Sequence, residues 1–238
     1  VQEPLILKYR NLLEKRALGT PLQYILQETD FFSIKLKITK GVFIPRPETE
    51  LLVEEIINMI KDRRLQYSHI NILDLGTGTG AIVLSLIKEL EESFGIGVDI
   101  NPIALSLSQE NAYLNKLEDR AFFVEGDIFS PEQFTISKKF DIIVSNPPYI
   151  PDEDIITLQK EVKNEPFLAL GGGKDGLTYY PYIFEWGLRF LKKDGFLAFE
   201  MGKGQWKRIR EIAYQYNFKN GHTRRDYNGI ERIGIVWK

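Results

Sequence analysis

The residues of this sequence best suited to chemistry stand together at Ser145-Asn146-Pro147-Pro148-Tyr149-Ile150. The Asn146 side-chain carbonyl and the Pro147 backbone carbonyl are both hydrogen-bond acceptors. Each proline fixes φ and lacks an N–H, so the chain leaves Asn146 in a stiff, acceptor-rich corner. Two acceptors held apart suit a planar –NH2 group, which carries two donors. Tyr149 then offers an aromatic face to cover it. The corner reads as a seat for a substrate amino group on an amide or a nucleobase, with Asn146, Pro147 and Tyr149 as catalytic residues and Pro148 beside them. The plainer reading is an Asn-Pro-Pro turn that only ends a strand.

A second group lies upstream. Gly76-Thr77-Gly78-Thr79-Gly80 follows an apolar run, 70–75, and precedes a helical stretch, 81–90. Strand, glycine loop and helix is a nucleotide-binding arrangement, because glycines let the backbone turn sharply and approach a ligand. Gly76, Gly78 and Ala81 satisfy the dinucleotide fingerprint, and Asp99, ending the next strand, suits two ribose hydroxyls. Asp74, before the loop, shifts the balance from NAD toward S-adenosylmethionine, whose methionine end carries an amino group that NAD lacks. Asp127 suits the exocyclic amine of adenine, with Ile128 packed on the ring. Taken alone, an Asp there is more commonly a cap or turn residue. Arg46, pinned between Pro45 and Pro47 at a helix entry, reads either as an ordinary loop arginine or as a fixed cation for a ligand carboxylate.

These groups need elements to bring them together. Strands are expected at 70–75, 94–100, 122–124 and 140–145, with helices at 81–90 and 102–115 between them. Glycine loop, Asp99, Asp127 and Asn146 each follow one of those strands. A parallel sheet brings all four to one rim, the edge where open α/β sheets bind ligands. Before this unit, residues 1–19 read as a helix stopped by Gly19-Thr20-Pro21. A hairpin is expected with 23–30 against 31–39, because Phe32, Ile34, Leu36 and Ile38 alternate with polar residues. Pro47, Glu48 and Glu50 suit the first turn of a helix running to about Lys61. After the corner, 152–163 reads as a lid helix and 171–176 as a flexible glycine loop. Helices at 181–191 and 206–216, a strand at 195–201 and a closing strand pair, 218–225 with 232–237, complete the chain. The expected division is 1–19 as the last helix of an N-terminal helical domain or a linker, 20–45 as a hairpin linker, and 46–238 as the catalytic domain.

Composition excludes several classes. The chain has 238 residues, 43% apolar and 27% charged, enough for a sizeable core. It has no Cys, hence no disulfide, thiolate nucleophile or cysteine metal site, which fits a reducing compartment. His69 and His222 are its only imidazoles and stand far apart, so no histidine-based zinc site or triad is expected. No run has the length of a membrane span and the start has no signal-peptide pattern. A net charge of −2 gives no global field to draw in nucleic acid. Arg224, Arg225 and Arg232 form a mild basic cluster of the kind usually found on solvated surfaces.

From Gly19 onward the chain resembles the bacterial protein-(glutamine-N5) methyltransferases that modify peptide-chain release factors. The resemblance rests on residues 43–50, 74–81, Asp99, 145–151, Glu165-Pro166 with Ala169-Leu170, 172–177, and Glu200 with Gly202 and Gln205. The Asn-Pro-Pro-Tyr corner alone is shared with DNA adenine and RNA guanine amino-methyltransferases; its combination with Ile44-Pro45-Arg46-Pro47-Glu48-Thr49-Glu50 is more specific. The resemblance implies an α/β, Rossmann-like, seven-stranded, mostly parallel sheet with helices on both faces. A small β-hairpin and the remnant of a helical N-terminal domain precede it. It implies S-adenosylmethionine as donor, S-adenosylhomocysteine as product, no metal, and the glutamine of the release factor Gly-Gly-Gln loop as acceptor. The donor would be held by Asp74, Gly76, Thr77, Gly78, Thr79, Gly80, Asp99, Asp127, Ile128 and Asn146. The acceptor would be held by Asn146, Pro147, Pro148, Tyr149 and Arg46. Release factors are then the partner, in the cytoplasm, with no membrane and no direct nucleic-acid binding. The competing expectations are a nucleic-acid amino-methyltransferase acting on adenine N6 or guanine N2 through the same corner, and a non-catalytic nucleotide-binding module.

Overall fold

The computed structural model describes residues 3–62 and 69–238. It opens with α1 (Glu3–Ala17), whose side chains are all at least partly exposed, and a short α2 (Leu22–Leu26). Strands β1 (Glu28–Phe31) and β2 (Ile34–Lys37) pair antiparallel as the small hairpin, and α3 (Pro47–Asp62) leads into the main body. Residues 1–2 of the expected first helix lie outside the described residues.

The body alternates strand and helix: β3 (Ile70–Leu75), α4 (Ala81–Glu89), β4 (Ser93–Asp99), α5 (Pro102–Leu114), β5 (Ala121–Glu125) and β6 (Phe140–Ser145). It continues with α6 (Tyr180–Phe190), β7 (Leu191–Glu200), α7 (Trp206–Gln215), β8 (Asn220–Arg225) and β9 (Glu231–Trp237). Seven strands form one sheet in the order β5-β4-β3-β6-β7-β9-β8. Pairings from β5 through β7 are parallel, and β9 runs antiparallel to both β7 and β8. The chain order reverses between β3 and β6, the switch point where such sheets open a crevice at the C-terminal strand ends. Register makes that rim level: Leu75 pairs with Val98 on one side and Ser145 on the other, and Asp99 pairs with Glu125.

Burial explains the sequence patterns. All of β6, and all of β3 except Asn71, is buried, so both strands read as continuous apolar runs under helices on both faces. Strand β2 alternates buried and exposed because only one face is covered. That face, with Ile34, Leu36 and Ile38, joins α3, α4 and the sheet in one core. Helix α4 is buried from Ala81 to Ile87, covered by the sheet on one side and by α3 and the hairpin on the other.

Two expected elements differ. Of the expected first strand, 23–30, residues 28–30 lie in β1 but 23–26 belong to α2: Pro21 starts that helix, and Gln27 closes it with φ +62° and its N–H on Gln23 O. Residues 22–26 have no period-2 alternation, so nothing holds them in a strand. Phe32 sits at the hairpin turn with φ +50°, and the buried alternation starts at Ile34. The expected lid helix at 152–163 is instead two 3-10 turns, Asp152–Thr157 and Val162–Asn164, with no buried side chain. The apolar residues behind its acidic start, Ile155, Leu158 and Val162, find no face to bury against, and Asp152 Oδ1 accepts from Gly173 N at 3.0 Å rather than serving a helix. The segment holds α1 through Arg16–Glu161 and through Asn164 Nδ2 to Gly19 O, 2.6 and 2.8 Å.

Candidate active site

The glycine loop is shaped by its backbone. Gly76 N and Thr77 N both donate to Val98 O, at 2.8 and 3.0 Å, which folds the chain back over β4. Gly76, Gly78 and Gly80 have φ of +72°, +57° and +79°, a region that L side chains rarely enter. Gly78 N donates to Asp99 Oδ2 at 2.8 Å, and Asn101 N donates to Asp99 Oδ1 at 2.9 Å. Each Asp99 oxygen keeps a free lone pair. Burial pushes the Asp99 carboxyl above its ordinary value, and the backbone N–H groups of Asn101, Gly78 and Ile100 oppose the rise.

A cavity of about 530 Å³ opens over this rim. Gly76, Thr77, Gly78, Thr79 and Asp99 form one part of its wall, Asp127 and Ile128 a second, Asn146, Pro147 and Pro148 a third. Two distant segments add to the wall, with Gly41, Val42, Phe43, Pro45 and Thr49 on one side and Pro166, Leu168 and Ala169 on the other. Asp127 Oδ1 accepts from Phe129 N at 2.9 Å, so it makes a turn and lines the cavity at once.

Four expected site residues stand off that wall. Asp74 lies one layer below the loop, fully buried; its Oδ2 accepts from Thr77 Oγ1 at 2.8 Å, and no described donor comes within hydrogen-bond geometry of its Oδ1. Burial raises its pKa from 3.8 to about 7. Gly80 is the N-cap of α4, where an added Cβ would stand 3.0 Å from Leu84 Cδ1 and 3.2 Å from Ser108 Cβ. Arg46 stands outside the cavity lining. Its guanidinium pairs with the buried Glu165 and sits 4.8 Å over the Phe43 ring, while Glu165 Oε2 also accepts from Ile44 N at 2.9 Å. This pair straps the 42–46 segment to the 165–169 segment across the cavity. Tyr149 is also outside the lining; its hydroxyl donates to Glu200 Oε1 at 2.8 Å.

Asn146 does line the cavity, and its amide is held from behind. Nδ2 donates to Thr49 Oγ1 at 3.1 Å, and the Thr49 hydroxyl donates to Glu200 Oε2 at 2.6 Å. No described donor reaches Asn146 Oδ1 or the Pro147 carbonyl. The corner's backbone is clamped as well. Gln205 Nε2 donates to Tyr149 O at 3.0 Å, Gly172 N to Ile150 O at 2.8 Å, and Ile150 N to Leu170 O at 3.2 Å. A Cβ on Gly172 would stand 2.8 Å from Pro148 O, and one on Gly176 only 2.2 Å from Tyr149 O. The 171–176 loop is therefore a tight brace.

Sequence reasoning gave no role to Thr49, Glu165, Glu200 or Gln205. Thr49 carried a usable signal: with Leu52, Val53 and Ile56 it falls on the buried stripe of α3, where a polar side chain needs a partner. Glu200 carried the same signal as an acid ending an apolar strand.

Comparison with known proteins follows the same outline. The family described as "Methyltransferase domain" matches residues 66–211. The release factor glutamine methyltransferase of Aquifex aeolicus is 37% identical over 236 residues, 99% of this chain and 81% of that protein. That of Thermodesulfovibrio yellowstonii is 39% identical over 230 residues, 96% and 80% respectively. Among solved structures, the Thermus thermophilus 16S rRNA N2 G1207 methyltransferase, in complex with AdoMet and guanosine, matches 89% of this chain and 49% of its own. Its TM-score is 0.64 at 18% identity, a likeness of fold.

Proposed function

The chain belongs to the release factor glutamine methyltransferase family, and from that premise we propose that it methylates the side-chain N5 of the glutamine in the Gly-Gly-Gln motif of peptide-chain release factors, with S-adenosylmethionine as donor and S-adenosylhomocysteine as product. When bound, S-adenosylmethionine supplies an electrophilic methyl group on a sulfonium sulfur. The donor end of the cavity fits it. Gly78 gives the backbone close approach, and the free Asp99 lone pairs suit ribose hydroxyls. Asp127 and Ile128 suit the edge and face of adenine. Thr77, steadied from below by Asp74, faces the methionine end.

The acceptor end has a different task. An amide nitrogen is a poor nucleophile, because its lone pair is delocalised into the carbonyl. Asn146 Oδ1 and the Pro147 carbonyl receive the two N–H donors of the glutamine carboxamide and turn its nitrogen toward the donor. Orientation of this kind recovers about 7–11 kcal/mol of a barrier in favourable cases. The same two oxygens favour the positive charge that grows on nitrogen. Pro148 stiffens the corner, Tyr149 anchors it to Glu200, and Arg46 holds the opposite wall.

One observation carries this reading: two acceptors without described donors stand on the wall of the same cavity as Asp99 and the glycine loop. No described helix is long and apolar enough to cross a membrane, and a release factor substrate puts the work in the cytoplasm. The test is mass spectrometry of a release factor incubated with the protein and S-adenosylmethionine. One added methyl on the Gly-Gly-Gln glutamine is expected. Cofactor binding with no transfer would instead favour a non-catalytic module.

A further inference from the structure

Asn146 can seat a carboxamide only with its oxygen, and not its nitrogen, toward the cavity. Nothing in the corner decides this, because the two ends of an amide have nearly the same shape. The decision is made behind it. Thr49 Oγ1 stands 3.1 Å from Asn146 Nδ2 and 2.6 Å from Glu200 Oε2. An ionised carboxylate only accepts, so the single Thr49 hydroxyl proton is committed to Glu200. The Thr49 oxygen can then only accept, and its neighbour must be a donor. A flipped Asn146 would set two oxygens against each other with no proton between them.

We infer that Thr49 and Glu200 are positioning residues for the methyl transfer, locking the Asn146 amide with its oxygen toward the acceptor site. The inference rests on the acceptor role of Asn146 proposed above. Three distant parts of the chain meet in the lock: the first turn of α3, the last residue of β7, and the corner after β6. Glu200 is 1% exposed and makes no ion pair among the described residues. Its Oε1 accepts from Tyr149 and its Oε2 from Thr49, so one carboxylate grips the corner at both ends. Glu48 on α3, Tyr180 on α6 and Arg232 on β9 also face it; the Tyr180 hydroxyl donates to the Glu200 carbonyl at 3.1 Å, and Arg232 is paired with Asp226.

The lock has a pH signature. A protonated Glu200 brings a proton of its own, and Thr49 is then free to donate toward Asn146. Burial holds the Glu200 carboxyl above the usual carboxylate range, while the Thr49 and Tyr149 hydrogen bonds and Arg232 pull it back. Turnover should therefore fall on the acid side, earlier than an exposed Glu would cause.

The experiment compares wild type, T49V, T49S and E200Q on one release factor, with kcat, KM and calorimetric cofactor affinity for each. T49V keeps the shape of Thr49 and loses the oxygen. We expect its kcat to fall about 10- to 100-fold, as for small misplacements of a reacting group, with cofactor affinity unchanged. T49S restores the hydroxyl and should recover to within about threefold of wild type, the usual scale of a lost methyl contact alone. E200Q should lose the acid limb of the profile. Wild-type kcat in T49V, a T49S as slow as T49V, or an intact acid limb in E200Q would overturn the inference. The side-chain NH2 resonance of Asn146 reads the lock without turnover: slow exchange in wild type, fast in T49V. A wild type that leaves release factors unmethylated but shows that difference defeats the substrate reading alone. Equal exchange in the two defeats the lock.

Discussion

The two ends of the cavity are built by opposite means. The donor end is local and made largely of backbone. Thr77 and Asp74 are 3 residues apart, Gly78 and Asp99 only 21, and the ligand-facing shape comes from N–H groups and positive-φ glycines. The acceptor end is long-range and made of side chains. Asn146 to Thr49 spans 97 residues, Thr49 to Glu200 spans 151, and Arg46 to Glu165 spans 119. Much of that end also lies before residue 66, where the match to the general methyltransferase domain begins. A scaffold shared by many methyltransferases can thus keep one donor pocket while distant segments redefine what is methylated.

The contrast predicts that the two ends fail separately. The largest effect is expected at Asn146→Ala, which removes an acceptor from the reacting nitrogen. Its kcat should fall by about 100-fold or more, with cofactor affinity within a few fold of wild type. If calorimetry showed donor binding lost as well, the ends would not be independent. Asp99→Ala should do the reverse and weaken cofactor affinity by about 100-fold or more, the loss of two hydrogen bonds to a charged group, while saturating donor restores most turnover. An unchanged Kd would refute the ribose role.

Arg46→Ala tests the strap. It leaves the buried Glu165 carboxylate without its cation, although Arg46 itself is 30% exposed. A stability loss of about 2 kcal/mol is expected, discounted for solvent screening, with KM for the release factor raised and cofactor affinity intact. Denaturant melts and steady-state kinetics together would separate the two effects. The smallest effect is at Asp74→Asn. Burial raises the Asp74 pKa from 3.8 to about 7, so the folded state binds its proton more tightly than the unfolded chain does. The stability this contributes is complete below the unfolded value near 4 and is lost as pH rises toward 7. An uncharged Asn escapes that loss. The variant should match wild type near pH 4 and gain roughly 5 °C in Tm at pH 7.5. A gain that shrinks with rising pH would contradict the assignment.

The same division governs what could be read from the sequence. The parallel strands, the glycine loop and the rim positions of Asp99, Asp127 and Asn146 were legible, because each depends on residues close in the chain. Arg46 and Tyr149 were legible as notable residues but not as to what they touch. Their partners, Glu165 and Glu200, lie 119 and 51 residues away. Residues 23–26 differ from the expected strand because a short, mostly apolar stretch fits either element, and a proline start with a left-handed end decides for helix. The segment 152–163 was read as a lid helix from its acidic first turn alone. An acidic start and an apolar spacing make a helix only when that stripe has a surface to pack on, and here no side chain of either turn is buried.

The two glycines wedged behind the corner make the site brittle in a particular way. At Gly172 and Gly176 even one extra methyl group would strike the carbonyls of Pro148 and Tyr149 from behind the cavity wall. Variation there should therefore silence the enzyme while leaving it folded and loaded with donor. Such a variant would let donor binding be studied apart from transfer.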